Sequence, residues 1–200
     1  MSTYDYKALE PGLNQLWPTP VMLHKLQAGS TDAVAMEVMT TMDLDAPAGE
    51  KMGNNILCNP GPALAAFRDE VIVPTFEMYL NEAYGDSISN YGSYKMQAWL
   101  TGTGLNYGMP PHEHSGSQVT AVFYILAEEE KAGGEIGLMD PRNNACRGYG
   151  GKMRDQFKNH QHLPKTGDVL IMPSFLYHYV VIYKSKLRLA IPVDLFLMSE

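Results

Sequence analysis

From Tyr94 to Leu197 the apolar positions fall into short alternating or continuous runs broken by Gly and Pro, which predicts the strands of an antiparallel sandwich or barrel. The runs are Tyr94–Thr101, Met109–His114, Val119–Leu126, Glu135–Met139, Asp168–Met172, Tyr177–Tyr183 and Leu187–Leu197, with turn signals such as Gly102-Thr103-Gly104 and Gly133-Gly134 between them. The first third has a different period. Pro20–Leu26 reads as a strand, and Thr31 or Asp32 can cap a helix over Asp32–Met42 that places Val34 and Val38 on one face. After a Gly-, Pro- and Asn-rich loop, Asp43–Pro62, a second helix sets Leu64, Phe67 and Val71 at helical spacing. Pro74 should divide it near Ile72-Val73, because a proline ring removes a backbone donor and clashes with the preceding turn. The pattern therefore predicts a mainly β chain with N-terminal helical support over about 30–85 and a strand core over about 94–197. We expect residues 1–200 to form one domain.

Composition narrows the function classes. Acids outnumber bases 22 to 15 and the net charge is -7, which argues against a partner held through its phosphates, so no nucleic acid is expected. No stretch reads as a leader or a membrane span, so a cytoplasmic protein is expected. Cys58 and Cys146 form neither a CxxC nor a repeated spacing, so neither a zinc ribbon nor a disulfide framework is indicated.

The candidate chemistry lies in the strand-rich half. In Pro111-His112-Glu113-His114, an extended backbone projects residues i and i+2 from one face, so His112 and His114 can grip one metal ion while Glu113 points away. A third ligand is expected from His178, at the start of the strand after Gly167-Asp168-Val169-Leu170-Ile171-Met172-Pro173. Two or three imidazoles on one side of a metal leave open positions, and an open site implies catalysis. Arg188 is embedded in Leu-Arg-Leu-Ala-Ile-Pro-Val, flanked by core positions, and reads as a cation inside the barrel facing an anion.

These motifs, in this order, resemble the small iron(II)/2-oxoglutarate oxygenases of phages and marine bacteria, relatives of the prolyl hydroxylases. The resemblance runs from Leu16-Trp17-Pro18-Thr19-Pro20-Val21 through Trp99, His112-x-His114 and Thr120–Tyr124. It continues with Gly133–Arg142 and Gly167–His178, and ends on Arg188–Val193. It implies a double-stranded β-helix (jelly-roll) core, Fe(II), 2-oxoglutarate as co-substrate and O2. It further implies that Arg188 holds the distal carboxylate of 2-oxoglutarate, that Tyr124 offers its hydroxyl to the same molecule, and that the product side is succinate, CO2 and an oxidised, usually hydroxylated, substrate. The departure is at His114, where the superfamily normally carries Asp or Glu. The direct reading is a three-histidine site, with Glu113 and Asp140 as alternative donors.

Two other readings stay open. A cupin-type metal enzyme that does not use 2-oxoglutarate would suit three histidines, although no Glu follows His114 at three or four residues and Phe175 stands where the second cupin motif expects Gly. A β-sandwich binding module with incidental histidines is the non-enzymatic alternative. The substrate, a small molecule or a protein, is not legible, and a homodimer is compatible with the sequence. The connection Pro141–Thr166 carries Arg142, Arg147, Lys152, Arg154, Lys158 and Lys165 against the single acid Asp155, and is expected to form a lid that attracts an anionic ligand.

Overall fold

The computed structural model describes residues 11, 18–41, 49–50, 55–103, 106–114, 116–127, 133–142, 159–185 and 187–198. Strand β1 (Met22–Lys25) leads into helix α1 (Asp32–Thr41), and a two-residue strand β2 (Gly49–Glu50) precedes helix α2 (Pro62–Phe67). The division expected from Pro74 is present. A π-helical turn, Arg68–Ile72, separates α2 from α3 (Val73–Tyr84), and Pro74 sits in the first turn of α3, where its missing N–H costs nothing. Helix α3 stops at Gly85, whose φ of 63° is the left-handed conformation a glycine adopts without strain.

The remaining strands are β3 (Ser93–Ala98), β4 (Thr101–Thr103), β5 (Tyr107–His112), β6 (Val119–Leu126), β7 (Ile136–Leu138), β8 (His160–His162), β9 (Asp168–Pro173), β10 (His178–Tyr183) and β11 (Arg188–Met198). They form two antiparallel sheets. The larger runs β1-β9-β6-β11-β4-β2, with β3 also paired to β11, and the smaller runs β5-β10-β7-β8. This is the expected double-stranded β-helix, with refinements. Gly102 interrupts no turn but lies inside β4, paired with Leu189, and β8 forms within the connection expected to be all loop. Most of that connection, with the lid proposed for it, lies outside the described residues.

Period-2 alternation explains why β6, β9 and β11 are apolar almost throughout. Their odd-numbered side chains, among them Ala121, Phe123, Ile171, Leu189, Ile191 and Leu195, pack under the helices with Val34, Phe67, Ile72, Phe76 and Leu80. Their even-numbered side chains face the smaller sheet. Val122, Tyr124 and Ala190 make one inner cluster, and Leu170 and Met172 make another with Ile136 and Leu176. The helices thus seal one face of the larger sheet and leave the inter-sheet space for the site.

Candidate active site

His178 opens β10 directly opposite His112 at the end of β5, so the two side chains leave the same face of the smaller sheet as a cross-strand pair. His114 lies two residues past the end of β5. Its backbone N–H donates to Ser174 O at 3.0 Å, tying it to the turn that leads into His178. The expected extended grip on both sides of Glu113 is thus supplied half by a strand and half by this anchored segment. One nitrogen from each of His112, His114 and His178 lies within 4.8 Å of the others.

The hydrogen bonds decide which nitrogen is offered. His112 Nδ1 donates to Pro110 O at 2.9 Å, His178 Nδ1 donates to Leu176 O at 3.0 Å, and His114 Nδ1 donates to Asp194 Oδ1 at 2.7 Å. Carbonyl and carboxylate oxygens only accept, so all three rings carry their proton on Nδ1 and keep a lone pair on Nε2. Nε2 of each ring is thereby left free to bind a metal. Burial pushes the His178 imidazole from 6.5 down to about 3, against the opposing pull of Leu176 O and with the help of His112 and His114, so it stays neutral and available at ordinary pH.

That depression has a consequence for stability. Between about pH 6.5 and 3 the unfolded chain binds a proton at His178 that the metal-free folded chain does not, so acidification through this window destabilises the fold. We expect the urea midpoint of the metal-free protein to fall between pH 7 and pH 5 by more in the wild type than in His178→Gln. An equal fall in both would exclude His178 as a source of the acid sensitivity.

Opposite the histidines, Arg188 is buried on β11. Its Nη1 donates to Gly134 O, and its guanidinium lies 5.1 Å from the Tyr183 ring centroid and 5.8 Å from that of Tyr124. It is not the solvated edge charge that a strand-terminal Arg could have been. Tyr124 is buried with its phenol pushed up to about 12 by desolvation, which Arg188 partly offsets, so its hydroxyl keeps its proton. A Cβ on Gly134, at a φ of 83°, would come within 2.5 Å of Arg188 Nη1. We expect Gly134→Ala to push the guanidinium out of place and weaken binding of a carboxylate ligand while leaving metal affinity near wild type, as read by titrating each separately. Unchanged carboxylate affinity would mean that Gly134 does not shape this wall.

The cavity between Arg188 and the histidines is about 40 Å³ and is lined also by Thr101, Met109, Val122, Tyr124 and Val180. Among the described residues, Thr101 Oγ1 is buried with no hydrogen-bond partner, as is Trp99 Nε1, whose ring packs 5.3 Å from that of His114. An orphaned hydroxyl in the wall of a cavity that also holds a guanidinium fits an anionic ligand. Sequence reading missed Thr101, which read only as the last residue of the strand Tyr94–Thr101, and Asp194, whose signal was an acid inside an otherwise apolar strand. The alternative carboxylates do not join the cluster. Asp140 accepts from Arg142 Nε at 2.9 Å and Nη2 at 2.5 Å, which holds it well below the usual carboxylate range, and Glu113 lies outside the group of side chains able to share a metal.

On this double-stranded β-helix the convergent imidazoles, which could hold one metal ion, face a buried guanidinium. Residues 97–194 match the sequence model of the family described as "Putative 2OG-Fe(II) oxygenase", which indicates an Fe(II)- and 2-oxoglutarate-dependent oxygenase. Similar folds include a prolyl-4-hydroxylase of Pseudomonas putida, with a TM-score of 0.60 and 13% identity over 90% of this chain and 88% of that one. A prolyl hydroxylase of Trichoplax adhaerens, solved with a hypoxia inducible factor peptide fragment, gives 0.62 and 15% over 88% and 83%. HygX of Streptomyces hygroscopicus, solved with nickel and 2-oxoglutarate bound, gives 0.55 and 13% over 88% and 82%. No curated protein matches the sequence. Among the described residues, no helix is long and apolar enough to cross a membrane.

Proposed function

We propose that His112, His114 and His178 hold the iron, that Arg188 and Tyr124 bind 2-oxoglutarate, and that residues 1–200 act as one catalytic domain hydroxylating a small-molecule or protein substrate. The observation that carries this reading is the shared tautomer. Three rings on separate anchors all spend Nδ1 on an acceptor and leave Nε2 free, and one nitrogen of each lies within 4.8 Å of the others. When bound, Fe(II) supplies the chemistry that couples O2 and 2-oxoglutarate to oxidation of a C–H bond.

The chain's own residues do the rest. The buried Arg188 fork suits the two oxygens of a carboxylate, and the Thr101 hydroxyl lies on the same wall and can donate to them. Tyr124 keeps its proton and can donate as well. The apolar lining from Met109, Val122 and Val180 keeps bulk water out, which strengthens each of these contacts. Arg188 distinguishes this reading from a cupin, which would have no use for a buried cation facing the metal. The acidic composition supports a partner other than nucleic acid, a cytoplasmic setting is part of the same proposal, and a homodimer would be tested by sedimentation.

The direct test is anaerobic addition of Fe(II) and then 2-oxoglutarate to the metal-free protein. The expected result is a weak visible charge-transfer band that appears only with both, followed on aeration by succinate. Iron binding without the band or succinate would turn the assignment toward the cupin reading.

A further inference from the structure

The three histidines are not held alike. His112 and His178 give their Nδ1 protons to neutral backbone carbonyls, whereas His114 gives its proton to the carboxylate of Asp194, 2.7 Å away and buried. Asp194 lies on the inner face of β11 together with Arg188, Ala190 and Pro192, and directly opposite Thr120 of β6. Thr120 Oγ1 donates to the same Asp194 oxygen at 2.7 Å. Because the one Thr120 proton is spent there, Ser174 Oγ must donate to Thr120 Oγ1 across 2.9 Å, and Ser117 Oγ donates to Ser174 Oγ at 2.6 Å. The Thr120 and Ser174 protons point toward Asp194, and the Ser117 proton is shared between Ser174 Oγ and His114 O, 3.2 Å away. Among the described residues, no Lys or Arg pairs with that carboxylate, whose imidazole partner is His114.

Burying a carboxylate costs several kcal/mol unless charge and hydrogen bonds offset it. Three aligned hydroxyls and one imidazole supply hydrogen bonds but no permanent positive charge. A metal ion held by the three imidazoles would place a positive charge one ring further on. Resting on the metal assignment above, we infer that Asp194 is a positioning residue that supplies, through the His114 ring, the negative charge that a directly bound Asp or Glu would otherwise bring to the metal. The hydrogen bond fixes the His114 tautomer and pushes electron density toward Nε2, making this ring the strongest donor of the three. Asp194 does not touch the metal. The Ser117-Ser174-Thr120 chain aims the carboxylate and links it to the turn carrying His178.

The experiment uses the metal-free full-length protein and Co(II) alone, followed through its visible d–d bands, with thermal unfolding measured in parallel. Wild type must bind Co(II) and His178→Ala must not. If wild type fails to bind, the metal assignment itself is wrong, which is a different failure from that of the inference. Asp194→Asn keeps the shape and an oxygen able to accept from both His114 and Thr120, but removes the charge. It is expected to weaken Co(II) by about ten- to a hundredfold and to alter the d–d bands, with little change in the melting temperature of the metal-free protein. Thr120→Val removes one donor and leaves the carboxylate, so it should lower the melting temperature yet bind Co(II) about as well as wild type. The inference is overturned if Asp194→Asn binds Co(II) like wild type with unchanged bands, or if both variants lose affinity in step with their stability, the signature of a purely structural network. Should Asp194→Asn not fold, a tenfold or greater loss in Thr120→Val would overturn it alone.

Discussion

Replacing His178 by Ala is expected to abolish iron binding, with at least about a hundredfold loss of affinity, more than removal of an outer hydrogen-bond partner causes. His178 is the hub of the cluster, its ring centroid 4.3 Å from that of His112 and 5.1 Å from that of His114, and two remaining imidazoles make a much poorer site. The fold should survive. The ring is buried beside a cavity rather than in the main apolar core, and the hydrogen bond lost to Leu176 O is worth about 1 kcal/mol. An open catalytic site, unlike a closed structural one, does not hold the chain together. Iron content and circular dichroism of the purified variant check both halves. Full iron stoichiometry in His178→Ala would remove His178 from the metal assignment, whereas unfolding would recast the cluster as structural.

Arg188→Met is expected to leave iron in place and weaken 2-oxoglutarate by roughly 2–4 kcal/mol, the order found when a charge-assisted pair loses one partner in a desolvated setting. Methionine preserves much of the packing against Tyr183 and Tyr124 while deleting the guanidinium, so the loss reports on charge and donors rather than on a void. Exposure decides the magnitude. A solvent-facing Arg would be worth at most about 1 kcal/mol to an anion, but Arg188 is only 4% exposed. Calorimetric titration of the anaerobic, metal-loaded variant measures the change. Affinity equal to wild type would separate Arg188 from the co-substrate and favour the cupin-like alternative.

Much of this was written locally in the chain. The alternation after Tyr94 predicted strands whose observed bounds differ by a residue or a few, and Val119–Leu126 coincides with β6 from end to end. Pro74 marked the helix division because its effect is a covalent property of one residue and the turn before it. The histidines were legible for the same reason, since HxH spacing and a His at a strand start are local geometry. The two-residue β2 and three-residue β8 were not legible, because strands that short are defined by their partners, β4 and β7, rather than by any periodicity of their own.

Local pattern alone thus determined the element types, the inward or outward direction of each side chain along a strand, and the residue types able to bind metal and carboxylate. Tertiary structure decided which of these meet. Asp194 is 80 residues from His114 and Thr120 is 74 from Asp194, so their hydrogen bonds exist only through the pairing of β11 with β6. Packing of the two sheets likewise brings Gly134 against Arg188, 54 residues apart, whereas Asp140 is engaged locally by Arg142, two residues on. A sequence specifies donors and acceptors one at a time, but a ligand's tautomer and charge are set by the neighbour on the next strand, and strand order is a property of the whole folded sheet.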